Sequence, residues 1–211
     1  MKVVEYRGVE GLVIAEILKD DNEKEGGYVT GPVEELSPVA EISKTVETAK
    51  EAHYYDNKAG NIVGGVGPDT ITIRAAALTL EKLAKITGLS YDPTTGAMID
   101  GPLQERYFAL GYKTKDTDGF YRYVWRFKGM FGIPPETNIT EDAGTDANGT
   151  ELTFTGIYTT HIFDKAKYDG TTWHKGPSKG LIVSDREGLA NLETFFDTVT
   201  TGDTLTAKAA S

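Results

Sequence analysis

Two segments of alternating polarity, joined by a short turn, constrain the fold of this chain more than any other feature. Residues 107–115 and 120–128 flank Asp116-Thr117-Asp118-Gly119, a connection of hairpin length whose glycine can adopt a positive φ. The second segment carries polar side chains (Arg122, Arg126 and Lys128) on one side and aromatic side chains on the other, namely Tyr121, Tyr123, Trp125 and Phe127. The pattern predicts a β-hairpin whose aromatic side packs in the core of a β-sheet protein.

Other parts of the chain show the same two-residue period, which predicts further half-buried strands at residues 11–18, 33–47, 70–77 and 151–163. A short helix is predicted at residues 80–87, because Thr79 is a suitable N-cap and Gly88 a suitable C-terminal stop. Ser184 and Glu187 have capping-box spacing, and they precede an apolar stripe that predicts a second helix through Val199. The stripe consists of Leu189, Leu192, Phe195, Phe196 and Val199.

These elements predict one mainly β domain over residues 1–211, a β-sandwich or partial barrel with one or two flanking helices. Residues 48–69 show no sustained period and contain several glycines, so we expect a long loop there. The residues at about 203–211 are expected to form a flexible C-terminal tail.

Composition and motifs exclude several classes of function. The formal net charge is −10 and there is no cysteine, which rules out disulfides and thiolate metal sites and argues against tight binding of nucleic-acid phosphates. The motifs HExxH, Walker A and G-x-S-x-G are absent, and the three histidines are far apart. We therefore expect neither catalysis, nor a cofactor, nor a metal. No apolar stretch reaches membrane-spanning length and the N-terminus lacks an apolar signal region, so we expect a protein made in the cytoplasm, with no membrane partner.

The polar sides of the predicted strands are unusual for their content of Thr, Ser and Glu, which alternate with apolar residues on at least three strands. A sheet that is polar on one side can face bulk water or line a channel. Periodicity does not distinguish these two possibilities.

The run FYRYVWRFKGMF (residues 120–131), preceded by YFALGYKTKDTDG, resembles the signature stretch of the major tail protein (tail tube protein) family of long-tailed, non-contractile bacteriophages. The resemblance covers most of residues 9–165. The segments GLVIAEILKDD, PVEELSPVAEIS, HYYDNKAG and ALTLEKLAKITG occur in the same order as in that family. The chain departs from the family at YDPTTGAMIDG and in the Thr-rich strand at residues 151–163.

The resemblance implies a structural virion protein with the phage tail-tube fold, which assembles in the host cytoplasm and resides in the tail. In this family, subunits form hexameric rings that stack into a hollow tube. The implied partners are other copies of the chain, the tape-measure, tail terminator and distal tail proteins, and double-stranded DNA as a transient, weakly contacted cargo.

Two sets of residues are candidates for these contacts. We expect the lumen to be lined by Glu41, Ser43, Thr45, Glu47, Thr70, Thr72, Thr153 and Thr155. Arg74 would lie on the same face, where it requires a nearby carboxylate. We expect ring-on-ring stacking to use His53, Tyr54, Tyr55, Asp56, Asn57, Lys58, Gly60 and Asn61. The alternative function is a carbohydrate-binding or adhesion β-sandwich, with Tyr121, Tyr123, Trp125 and Trp173 as a stacking platform.

Overall fold

The computed structural model describes residues 4–23, 26–55, 58–136 and 149–209, with the backbone alone for residues 50–55 and 58–63. In chain order its strands are β1 (Tyr6–Asp20), β2 (Tyr28–Thr30), β3 (Glu34–Glu35), β4 (Val39–Tyr55), β5 (Lys58–Ala75), β6 (Ser90–Asp92), β7 (Ala97–Ile99), β8 (Phe108–Asp116), β9 (Tyr121–Phe131), β10 (Thr150–Gly156), β11 (Phe163–Tyr168), β12 (Trp173–Gly176) and β13 (Gly180–Ser184). Helix α1 (Leu80–Thr87) lies between β5 and β6. The described part of the chain is mainly β, as predicted.

Nine of the described strands form one antiparallel sheet. Its order is β2-β1-β8-β9-β10-β5-β4, with β13 beside β9 and β3 beside β1. Strand β9 is central, because β8 pairs along one of its edges while β13 and β10 share the other. The pairs β6–β7 and β11–β12 form two small separate hairpins.

The large sheet curves around an apolar core. Side chains from distant strands meet there, among them Leu12 of β1, Ile71 of β5, Phe108 of β8 and Phe154 of β10. Strands β1 and β4 also contact each other, although they are well separated in the strand order. The curvature gives a partial barrel, and Ile86 of α1 packs into the same core.

Helix α1 has the predicted bounds because both of its ends are capped. The Thr79 hydroxyl accepts a hydrogen bond from the backbone N–H of Lys82 at 3.3 Å. Gly88 has φ 80°, and its N–H donates to the carbonyl of Ala84 at 2.9 Å. A left-handed residue at this position suits glycine, which has no Cβ to clash.

The hairpin between β8 and β9 also confirms its prediction. Gly119 has φ 94°, and the carboxylate of Asp116 accepts hydrogen bonds from the backbone N–H groups of Asp118 and Phe120 at 2.9 and 3.0 Å. The aromatic side of β9 is a core surface as expected, since Trp125 and Phe127 are buried.

The predicted C-terminal helix is wrong, because residues 185–201 form turns and extended segments. In a helix the carbonyl of Phe195 would accept from the N–H of Val199. Here that carbonyl accepts from Trp125 Nε1 at 3.0 Å and from the Thr200 hydroxyl at 2.9 Å. Phe195 and Val199 still pack on the outer side of the sheet, whereas Leu189 is 73% exposed.

The segment predicted as a flexible tail is hydrogen-bonded to the chain around Leu189. The backbone N–H of Lys208 donates to the carbonyl of Leu189 at 2.8 Å, and the N–H of Asn191 donates to the carbonyl of Thr206 at 3.0 Å. Leu205 packs against the second apolar cluster, which includes Trp125 and Phe195. Over the residues that the structure describes there, the segment is therefore joined to the rest of the fold by hydrogen bonds and apolar contact, and its flexibility stays a prediction.

The two tryptophans provide a matched test of this core. Trp125 is fully buried and hydrogen-bonded, while Trp173 is 50% exposed and contacts the ring of Tyr168. We expect Trp125→Ala to lower the free energy of unfolding by about 3 to 5 kcal/mol. Trp173→Ala is expected to lower it by about 1 kcal/mol or less. Urea denaturation followed by circular dichroism measures both, and equal losses would contradict the burial described here.

Candidate functional site

Nine side chains of three adjacent strands form a continuous polar surface, here called the polar sheet face. Strand β5 is paired on one edge with β4 and on the other with β10, and each strand contributes three residues. The register aligns them in three rows: Glu41–Arg74–Glu151, Ser43–Thr72–Thr153 and Thr45–Thr70–Thr155. The opposite side of the same strands carries core residues such as Ile71, Ile73 and Phe154.

The lumen candidates thus share one face, with one exception. Seven of the eight occupy the polar sheet face, and none of those seven is fully buried. Glu47 follows the last row and lies at a register shift between Val46 and Thr48, beside Gly67. It is exposed but is not part of the aligned rows.

Arg74 has the carboxylate partner that its position requires. Its Nη1 lies 3.5 Å from Glu41 Oε2, and its Nε lies 3.6 Å from Glu151 Oε2. Glu41 was recognised from the sequence as a neighbour on this face, but Glu151 was not among the candidates. The alternation of Glu151 with Thr153 and Thr155 was the available signal.

The edge of β4 is the second feature of this region. Strand β4 is 17 residues long and ends the strand order of the sheet, so β5 is the described strand to which it is hydrogen-bonded. A long outer edge presents backbone N–H and C=O groups that can pair with another chain. In a protein with this arrangement, a neighbouring copy can extend the sheet and continue the polar sheet face.

The segment predicted as a long loop at residues 48–69 is instead a β-hairpin. Backbone pairing of β4 with β5 continues from Thr48 opposite Val66 to Tyr55 opposite Lys58. Strand β10 ends opposite Asp69, so beyond that point β4 and β5 are paired with each other. We call residues 47–55 and 58–67 the projecting hairpin; nine residues of extended strand span about 30 Å.

The ring-stacking candidates fall on this hairpin. His53, Tyr54 and Tyr55 are the last residues of β4, and Lys58, Gly60 and Asn61 belong to the start of β5. Asp56 and Asn57 lie outside the described residues. An isolated two-stranded hairpin has at best marginal stability in water, and packing against another surface stabilises an element of this kind.

A buried carboxylate anchors the base of the projecting hairpin. The side chain of Asp69 is 3% exposed and lies 2.8 Å from Lys179 Nζ and 3.0 Å from Lys44 Nζ. Arg126 of β9 approaches the same carboxylate at 3.9 Å. Lys179 also donates to the carbonyl of Gly67, which lies on the hairpin itself.

Burial by itself raises the pKa of the Asp69 carboxyl. The hydrogen bonds from Lys179 and Lys44 outweigh that effect, so the pKa lies below its ordinary value. This cluster was not predicted. Its signal was a lysine on the apolar side of an alternating strand, because Lys44 lies between Ile42 and Val46.

The stacking platform of the alternative function is not assembled. Trp125 is fully buried, and Tyr123 packs against the rings of Phe195 and Phe196. Trp173 belongs to the separate β11–β12 hairpin, where its ring centroid lies 5.0 Å from that of Tyr168. Trp125 therefore cannot stack on a sugar while the core is intact.

Two other kinds of functional feature are absent from the described residues. Those residues contain no group of three or more His, Asp or Glu side chains arranged to hold a metal ion. Within the same residues, no helix is both long and apolar enough to cross a membrane. Comparison of the sequence with protein-family models and with curated proteins gave no match in either case.

The Asp69 cluster generates a prediction about stability and pH. Asp69→Asn leaves two lysines and an arginine without their shared carboxylate. We expect the free energy of unfolding to fall by about 3 kcal/mol, at the lower end of the range for a broken buried ion pair, because Lys44 is partly exposed. Since the folded pKa of Asp69 lies below the unfolded value of about 3.9, its stabilisation is complete above that pH and is lost as the pH falls through the folded pKa.

Stability measured by urea denaturation at several pH values checks this prediction. Asp69→Asn is expected to be less stable than the natural protein at neutral pH, with a difference that narrows in acid. Asp197→Asn, at an exposed position, is the control and should change little. A constant difference at all pH values would contradict the assignment.

Proposed function

We propose that this protein is the structural subunit of a phage tail tube, in which six copies form a ring and rings stack into a hollow tube. The proposal starts from the resemblance of residues 9–165 to the major tail protein family. The observation that supports it most is the polar sheet face, a three-row surface of Thr, Ser and paired charges that ends at the open edge of β4. Such a face suits a wall along which a polyanion moves.

Ring closure follows from the edge of β4. A heterologous contact, in which the edge of one subunit pairs with a different edge of the next, closes into a ring when the rotation between subunits is suitable. Pairing at the edge satisfies backbone groups that would otherwise promote irregular aggregation. It also continues the polar rows from one subunit to the next.

The size of the bore follows from strand spacing. Three to four strands from each of six subunits give 18 to 24 strands, and a strand tilt of about 40° then gives a backbone diameter of about 35 to 50 Å. Side chains reduce this by several ångströms on each wall. Porins with 16 to 18 strands already contain an aqueous channel, so the larger diameters leave room for duplex DNA.

The chemistry of the face suits DNA that must pass without being held. Each Lys or Arg contact to a phosphate releases counterions and adds to affinity. The rows Ser43–Thr72–Thr153 and Thr45–Thr70–Thr155 are uncharged, and the third row carries one cation with two carboxylates. The net charge of the whole chain, −10, also disfavours binding to phosphates.

Stacking between rings is assigned to the projecting hairpin. The hairpin extends about 30 Å beyond the last pairing with β10, a reach that is sufficient to contact a neighbouring ring. The Asp69 cluster fixes its base to β9 and to the segment before β13. A contact along the tube axis that does not close produces a filament.

Negative-stain electron microscopy of the purified protein tests the proposed function. Rings or tubes with a central channel are expected, with gel filtration to detect large assemblies. A protein that stays monomeric at all concentrations and salt conditions, including in the presence of tail-tip initiators, would contradict the proposal. A monomer that binds glycans on an array would favour the alternative function.

Shortening the projecting hairpin separates folding from elongation. Residues 50–64 are replaced by Asn-Gly, which joins Ala49 to its pairing partner Gly65 by a type I′ turn. We expect folded subunits with unchanged circular dichroism of the core, and no tubes by electron microscopy. In the matched control, Gly-Asn replaces residues 169–172 at the tip of the β11–β12 hairpin. Normal tubes from the shortened chain would refute the stacking role.

A further inference from the structure

Arg74 is the one cation among the nine side chains of the polar sheet face. Its side chain is 66% exposed. A guanidinium binds phosphate oxygens through charge-assisted hydrogen bonds, often two at a time. On a wall that borders DNA, one such side chain from each of six subunits would form a ring of phosphate ligands in every layer of the tube.

The register of the sheet places a carboxylate on each side of this arginine. Glu41 of β4 and Glu151 of β10 are both directly opposite Arg74, so the backbone ladder fixes the row. Their oxygens lie 3.5 and 3.6 Å from two different nitrogens of the guanidinium. The row as a whole therefore carries a charge of −1.

Stability does not account for this arrangement. Glu41 and Glu151 are 60% and 47% exposed, and exposed ion pairs of this kind add little to the stability of a fold. Opposite charges across the strands do favour the native register over a shift by two residues, which would place Arg74 opposite Ser43 and Thr153. The arginine is thus useful for strand pairing, and it becomes a liability only where phosphates pass.

Two nearby cations, on β4 and β9, point away from the face. Lys44 of β4 turns to the core side and binds Asp69, and Arg126 of β9 approaches the same carboxylate. Among the nine aligned side chains of the polar sheet face, Arg74 is therefore the cation that needs to be neutralised on the polar side.

We infer that Glu41 and Glu151 act as a charge guard on Arg74. Both carboxylates lie within ion-pair distance of the guanidinium and cancel its charge, so that it does not bind the phosphate backbone of a duplex passing over the face. This inference rests on the proposed function for its biological meaning, but its chemistry is a property of the isolated subunit. The ligand that the guard excludes is the phosphodiester of double-stranded DNA.

The test uses three variants of the full chain. In E41Q/E151Q the guard loses its charge, and in E41Q/E151Q/R74Q the arginine is removed as well. E105Q/E193Q removes the same number of negative charges at exposed positions elsewhere and leaves the guard intact. All substituted side chains are solvent-exposed, and the dispersion of each amide NMR spectrum reports directly that the variant is folded.

The measurement is an NMR titration of the soluble subunit with a short DNA duplex. The Nε–Hε resonance of Arg74 is assigned by its loss in the triple variant. We expect this resonance to shift in E41Q/E151Q, with an apparent affinity for the duplex about tenfold above that of the natural protein. The added binding should weaken with salt at a slope of about −0.9, as for one phosphate contact. The triple variant and E105Q/E193Q should bind no better than the natural protein.

Two results would overturn the inference. One is an E41Q/E151Q variant that binds the duplex no better than the natural protein. The other is equal gain in E105Q/E193Q or in the triple variant, which would show that net charge alone controls binding. Electron microscopy tests the proposed function independently. If tubes form but the E41Q/E151Q variant shows no added binding of the duplex, the charge guard is rejected and the proposed tube function is not affected.

Discussion

The register of β5 between β4 and β10 is the constraint on which the rest of the structure depends. Because side chains alternate along a strand, one register places Ile71 and Ile73 in the core and Thr70 and Thr72 on the polar sheet face. A slip of one residue would exchange the two sets, exposing isoleucines and burying threonines. Packing of the apolar core thus determines which side chains lie on the polar sheet face, because the two sets alternate along the same strands.

Sequence patterns predicted the strands correctly where one side of the sheet is buried in the core and the other side is exposed. Helix α1 was predicted to the residue, because Thr79 and Gly88 form local caps that need no tertiary partner. The three polar rows were largely predicted, because the core imposes a period of two on residues 70–75. The projecting hairpin was mistaken for a loop, because its base is exposed on both faces, as at Thr48, Ala49 and Val66. Without a core on one side, nothing selects alternating polarity, and the glycines of β5 then resemble those of a loop.

The C-terminal segment and the Asp69 cluster were missed for a different reason, because both depend on contacts distant in sequence. Phe195 and Val199 have helical spacing and are indeed buried, so the apolar stripe was identified correctly but its backbone was not. The competing donor is Trp125, 70 residues earlier in the chain. Its indole N–H donates to the backbone carbonyl of Phe195, which would accept a hydrogen bond within the helix. Likewise Asp69 meets Lys179 across 110 residues. Local sequence patterns show which side chains are apolar. They do not show which donor, distant in sequence, forms the hydrogen bond to a given backbone carbonyl.

The placement of charge relates the subunit to its proposed assembly. Lys44, Lys179 and Arg126 share the buried carboxylate of Asp69 inside the subunit, and Arg74 is paired with two carboxylates, so each of these cations has a carboxylate partner before assembly. The remaining surface of a chain with net charge −10 is dominated by carboxylates, and such subunits repel one another at low ionic strength. In the proposed tube, attraction between copies comes from backbone pairing at the edge of β4 and from packing of the projecting hairpin, which are short-ranged and geometrically specific. In the proposed tube, repulsion at a distance with pairing at contact favours ordered addition of subunits over indiscriminate aggregation, and the same excess of negative charge disfavours adhesion of DNA to the proposed wall.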